Sequence, residues 1–182
     1  MHLSDKHIAL GVTGSIAAYK ALLLLRLLRE ANAHVYPVLS AQALKFVGEA
    51  SFAALAGRPA VTDLWQGASA GGIDHVALGH SCDGLIVAPA SANHLALFAQ
   101  GMAPDALTAL FLASRAAKVV APAMEAGMWE NPATQHNIAT LQGRGITVVA
   151  PQHGALASGH VGLGRMAEPS HLVETLHAAP RR

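Results

Sequence analysis

Residues 8–20 read I-A-L-G-V-T-G-S-I-A-A-Y-K. Residues 8–12 form a five-residue apolar run, the length of a buried strand rather than a helix. Gly11 and Gly14 bracket the turn that leaves it, and Ser15 stands where a helix N-cap belongs. The helix that follows, residues 15–31, is apolar on nearly every turn through Leu22, Leu25 and Leu28. Backbone N–H groups at such a helix start carry partial positive charge, so the turn suits a phosphate as well as a plain structural bend. It is neither G-x-G-x-x-G nor a Walker loop, and on spacing alone both readings stand.

The same grammar repeats outward from this stretch. Residues 35–39 read as a second strand ending at Ser40, followed by helical segments over 41–48 and 51–56. Residues 85–88 form a strand stopped by Pro89, with helices over 93–100 and 104–114. Residues 118–121 form another, stopped by Pro122, because proline has no N–H for a ladder. A helix over 131–142 with Pro132 in its first turn and a strand over 146–150 follow, and a helix over 169–177 closes the chain. Strands alternating with helices at this spacing predict one α/β domain: a Rossmann-like open parallel sheet with helices on both faces. Two stretches break the pattern. Residues 63–72, D-L-W-Q-G-A-S-A-G-G, are expected as a mobile loop. Residues 152–166 carry four glycines without periodicity and are expected as a flexible flap over a substrate.

Composition narrows the function. Twelve basic and eleven acidic side chains give a net charge of +1 without a basic block, which argues against nucleic acid. Hydrophobic residues make up 52% and charged ones only 13%, below the usual ~25%. No apolar run approaches the ~18 residues of a membrane span, so the excess is expected to lie buried between subunits of a homo-oligomer. The start of the chain has no signal-peptide pattern and Cys82 is the single cysteine, which together predict a cytoplasmic protein. Cys82 itself reads as a small buried hydrophobe. Eleven histidines show no metal-ligand spacing, so no metal is expected. His75 differs from the rest, following a glycine-rich loop and preceding an apolar face, where a general base is plausible. Ser15, Ser40 and Ser91 each follow a strand and offer three hydroxyls at one sheet edge, where ligands of open α/β sheets bind.

Five motifs occur in order: G-S-I-A-A-Y-K at 14–20, G-G-I-D-H-V at 71–76, A-P-A-S-A-N at 88–93, P-A-M-x-x-x-M-W at 122–129 and G-x-G-R-M at 162–166. Together they resemble the homo-oligomeric flavin-containing cysteine decarboxylases, over about residues 6 to 175. The resemblance implies a Rossmann-like fold, trimers or dodecamers, and FMN at the subunit interface. It implies that Gly14, Ser15, Ile16 and Ala17, then Ser40, contact FMN near its phosphate. Ser91, Ala92, Asn93 and His94 match a second FMN loop, Ala123 a further flavin contact, and His75 the catalytic base. Glu125 and Met128 fall in the substrate clamp, and Ser158 in the flap. In the family's chemistry a substrate cysteine, on a small molecule or a peptide, is oxidised to a thioaldehyde, loses carbon dioxide and becomes an enethiolate.

Two positions depart from the family pattern. The flap reads A-S-G-H at 157–160, so Ser158 replaces the cysteine that protonates the enethiolate in the pantothenate branch. A serine hydroxyl is far too weak an acid for that role, whereas the peptide branch does not need it. Glu125 replaces an asparagine that donates to the substrate carboxylate. It suits a carboxylate ligand only in its neutral form, and otherwise suits a ligand with an amine or no carboxylate there. Two other readings share the motifs: a flavoprotein with another redox or flavin-prenylating activity, and a non-catalytic, flavin-holding regulatory subunit. The acidic tail expected of such a regulator is missing from the 182 residues, as is a synthetase domain.

Overall fold

Strand β1 (His7–Val12), buried from Ile8 onward, pairs in parallel with β2 (His34–Leu39) on one side and β3 (Gly84–Ala90) on the other. Beyond β3 lie β4 (Ala117–Pro122) and a two-residue edge strand, β5 (Thr147–Val148), giving the parallel order β2-β1-β3-β4-β5. The structure, a computed structural model, describes residues 3–65 and 74–179. The glycine-rich stretch expected as a mobile loop falls largely outside them.

Side chains alternate across the sheet, as the pleat requires. Leu10, Val12, Ile86 and Val119 point to one face, under α1 (Tyr19–Glu30), α2 (Glu49–Ala56) and α8 (Pro169–Ala178). Ala9, Leu85, Val87 and Val120 point to the other, under α3 (Asp74–Ser81), α4 (Ala92–Gln100), α5 (Ala106–Ala113) and α7 (Pro132–Gly143). Gly79 lets α3 approach α5 closely, since a Cβ there would lie 3.3 Å from that of Ala113. The two core faces share one sheet, which makes the chain a single α/β domain of the expected Rossmann-like class. Because the chain leaves β1 toward β2 and later returns to β3, the winding reverses between β1 and β3. A crevice opens there, beyond the carboxyl ends of the strands. Among the described residues no helix is long and apolar enough to cross a membrane.

Local departures from the expected elements have physical reasons. The helix expected over 41–48 is only a 3₁₀ turn, Ala43–Lys45, because the buried Ser40 Oγ accepts the Ala43 N–H and caps a tight bend. Strand β3 runs past Pro89 to Ala90, its register against β4 shifting between Val87 and Ala90. Residues 152–166 are regular after all: β6 (Gln152–Ala155) and β7 (Val161–Arg165) form an antiparallel hairpin. Strand β6 is mostly exposed and two of the five residues of β7 are glycines, so no clean apolar–polar alternation marks them.

This hairpin is seated on the segment after β4, where the Met124 N–H donates to the Gly164 carbonyl at 3.1 Å. A Cβ at Gly164 would overlap the Met124 carbonyl oxygen. Gly164→Ala is therefore expected to lift the hairpin at a cost of about 1–3 kcal/mol. In amide hydrogen exchange, residues 152–165 of that variant should exchange roughly 10- to 100-fold faster, with the β1–β4 core unchanged.

Candidate active site

Three strand ends converge on the crevice. After β1, Gly14 turns the chain within contact of Gln42, whose Cβ would lie 2.6 Å from a Cβ at position 14. Ser15 then adopts an extended conformation and its Oγ accepts the Ala17 N–H at 3.2 Å, starting the 3₁₀ turn Ile16–Ala18 that leads into α1. After β3, Ser91 caps α4. After β4, Ala123 leads to the short helix α6 (Ala126–Glu130), with Glu125 at its N-cap and Trp129 buried beneath it. These loops and the hairpin enclose a cavity of about 550 Å³, within the usual size range of small-molecule sites.

Nine of the residues singled out in the sequence line this cavity: Gly14, Ser15, Ile16, Ala17, Ser91, Ala92, Ala123, Glu125 and Met128. Five do not. Ser40 is buried, its hydroxyl engaged in its own turn. Asn93 lies on α4 beyond the lining, and His94 is buried behind Ser91. Ser158 sits at the exposed turn of the hairpin. His75 lies in the first turn of α3, outside the lining, its Nδ1 buried and without a hydrogen-bond partner among the described residues.

Other lining groups were not singled out as site residues, although Lys20 and Arg165 fall inside the motifs at 14–20 and 162–166. Lys20 reaches the cavity from α1, its Nζ donating to Glu168 Oε1 at 2.7 Å and to the Met166 carbonyl at 3.4 Å. Arg165 lies at the rim and lies over Gly154, where a Cβ would come within 2.7 Å of it. Leu156 closes the hairpin side. The two positions that depart from the family pattern also meet: Ser158 Oγ donates to Glu125 Oε2 at 2.8 Å, tying the hairpin turn to the α6 loop.

Behind the β3 loop, His94 Nε2 lies 3.0 Å from Asp105 Oδ2 and its Nδ1 3.2 Å from Ser91 Oγ. Burial works against ionisation of Asp105, but hydrogen bonds from His94 and Thr108 outweigh it and hold that carboxyl at about 2. The signal for this arrangement was present as D-A-L-T at 105–108, a pattern that caps α5 reciprocally. Cys82 lies away from the cavity, with Ser114 Oγ 3.3 Å from its Sγ and burial pushing the thiol up. Among the described residues no group of three His, Cys, Asp or Glu side chains is placed to hold a metal.

A flavin matches this donor set. One wall is a helix start with a serine and small residues, where a phosphate can lie against backbone N–H groups. The opposite wall carries methionine, leucine and alanine, suited to a flat apolar ring.

Comparisons with known proteins agree with that fit. Among solved structures, an FMN-dependent cysteine decarboxylase, SpaF, superposes with a TM-score of 0.85 and 34% identity over 96% of each chain. A cysteine-to-serine mutant of PPC decarboxylase, complexed with pantothenoylaminoethenethiol, also superposes with a TM-score of 0.85. It is 32% identical, over 96% of this chain and 97% of that one. The coenzyme A biosynthesis bifunctional protein CoaBC of Haemophilus influenzae is 41% identical over 176 residues, which are 97% of this chain and 44% of that protein. Its Mycobacterium bovis counterpart is 44% identical over 167 residues, 92% of this chain and 40% of the relative. The chain thus spans less than half the length of these curated relatives. Residues 1–179 match the Flavoprotein family, and the chain belongs to it.

Proposed function

We propose that this chain is an FMN-dependent cysteine decarboxylase of the lyase type, acting on a small molecule or peptide that presents a cysteine carboxylate. The observation that carries this reading is the cavity at the β1/β3 reversal, with a helix start on one side and the Glu125–Met128 loop on the other. When bound, FMN supplies the two-electron oxidation at the cysteine carbon–sulfur bond that lets carbon dioxide leave.

The protein's residues position, shield and move protons around that chemistry. Gly14, Ser15, Ile16 and Ala17 hold the phosphate end, and Ser91, Ala92 and Ala123 hold the ring end; Ser40, Asn93 and His94 support those loops from behind. Met128 and the 152–166 hairpin, acting as the substrate flap, exclude water, and Arg165 offers a cation to an anionic substrate tail. His75 takes up the substrate's proton on its imidazole. In a single chain it stands outside the cavity lining, so we assign it to the site of a neighbouring copy. The exposed Ile16 just before α1 and the exposed Tyr19 and Leu23 on it, with the exposed Met128 across the cavity, supply an apolar surface for such a homo-oligomer, a trimer or a dodecamer built of trimers. A lone buried thiol suits the cytoplasm.

Ser158 lacks the acidity to protonate an enethiolate, so the reaction ends at the enethiol. A PPC decarboxylase in which serine replaces a cysteine was likewise captured with an ethenethiol.

The purified protein should be yellow and release about one FMN per chain. With phosphopantothenoylcysteine or a peptide ending in cysteine, mass spectrometry should record loss of carbon dioxide together with two hydrogens. A colourless protein that takes up no FMN would overturn the cofactor assignment. Loss of carbon dioxide alone would overturn the enethiol endpoint.

A further inference from the structure

Ser91 faces the cavity, but its hydroxyl is controlled from behind by a buried pair of residues. His94 is buried almost completely, its ring against Phe98 and its two nitrogens between Ser91 and Asp105. Asp105 is fixed in turn by Thr108, whose N–H donates to Oδ1 at 2.8 Å. The Ser91 backbone is fixed as well, its N–H donating to Thr13 Oγ1 at 2.8 Å. The hydroxyl therefore has a set position, and only its hydrogen remains to be placed.

The chemistry of the chain places that hydrogen. An ionised carboxylate accepts hydrogen bonds and donates none, so His94 Nε2 must carry a proton toward Asp105. In the neutral imidazole Nδ1 is then an acceptor, and the Ser91 hydroxyl is the donor within reach. With its hydrogen directed at His94, Ser91 Oγ presents lone pairs. One receives the weak His94 N–H cap at 3.4 Å, and another is open toward the cavity.

We propose that His94 and Asp105 are positioning residues that hold the Ser91 hydroxyl as a hydrogen-bond acceptor on the cavity wall, turned toward an N–H or O–H donor of bound flavin. The proposal rests on the reading of the cavity as an FMN site. An unbraced serine at this place would rotate freely and serve donors and acceptors alike. Here the wall discriminates, favouring a flavin edge that donates.

Histidine-selective ¹⁵N–¹H multiple-bond spectra of the full chain, with and without FMN, read the tautomer directly. His94, assigned by its loss in His94→Gln, should carry its proton on Nε2 in both. Asp105→Asn keeps an N-capping side chain but can donate from its amide, so the His94 proton should move to Nδ1 and Ser91 should become a donor. FMN affinity should then fall about tenfold, the worth of one hydrogen bond. Ser91→Ala should lose a similar factor, and the double variant no more than Ser91→Ala alone, since both act through one hydroxyl. His94→Gln should follow the same non-additive pattern if Asp105→Asn fails to fold. An Nδ1–H tautomer in the wild type, or losses that multiply in the double variant, would overturn the proposal while leaving the FMN site standing. A wild-type chain that binds no FMN overturns both together.

Discussion

The variant Glu125→Asn/Ser158→Cys is expected to convert phosphopantothenoylcysteine to the saturated thiol, with loss of carbon dioxide alone, where the wild type releases the enethiol slowly. Two physical effects combine in that expectation. A substrate carboxylate about 4 Å from the Glu125 carboxylate is repelled by about 4 kcal/mol at an effective dielectric near 20. That is an upper limit of roughly a thousandfold in affinity. Glu125→Asn removes the repulsion and offers a donor, so kcat/KM should rise toward that limit through KM, with the product still an enethiol. Ser158→Cys alone should change little, because its thiol would sit where Ser158 Oγ now meets Glu125 Oε2 at 2.8 Å. A carboxylate at that distance disfavours the thiolate and still repels the substrate. Only the pair supplies both substrate binding and a proton donor, so the two effects should be strongly non-additive. Steady-state rates with product masses for the three variants decide it. Equal kcat/KM for wild type and Glu125→Asn would show that Glu125 does not govern carboxylate recognition.

That pair also marks the limit of what a linear reading reaches. The central strands β1, β3 and β4 were legible because each holds a short, continuous apolar run, as parallel strands covered on both faces must, with a glycine or proline near its end. The cavity residues Ser15 and Ser91 were legible for a related reason: each follows such a strand, at the carboxyl edge where open sheets bind ligands. The same rule also picked Ser40, whose hydroxyl is spent on its own turn, and Ala123 came from the motif resemblance alone. The hairpin was not legible, because an exposed β6 and a glycine-interrupted β7 carry no clean apolar–polar alternation. What holds it is a backbone contact between Gly164 and Met124, forty residues apart. His94 was matched to an FMN loop, but what it does there was hidden for a similar reason. Its partner Asp105 stands at the start of the next helix, and only the packing of α4 beside α5 turns a capping serine into part of a buried relay. Glu125 and Ser158 were each visible as odd residues, but their hydrogen bond depends on how the hairpin folds back over the α6 loop.

His75→Asn should retain FMN and lose about 10²–10⁴-fold in kcat, the range typical of a removed general base. The reason lies in its position as much as its chemistry. His75 begins α3, packed on α5, and does not line the cavity formed by its own chain, so the loss should be repairable from outside that chain. Gly14→Val supplies the complementary defect: its Cβ would press on Gln42 Cβ at 2.6 Å, displacing the turn that carries Ser15 and preventing FMN loading. Neither variant alone should turn over substrate. When the two are co-expressed, some mixed oligomers pair an intact cavity from the His75→Asn chain with an intact His75 from the Gly14→Val chain. Those sites should be active, and the recovered rate should track the fraction of mixed assemblies. FMN content separates the two defects, since the first variant stays yellow and the second does not. If mixed assemblies form, as judged by differently tagged chains purifying together, and still show no turnover, then His75 serves the cavity of its own chain.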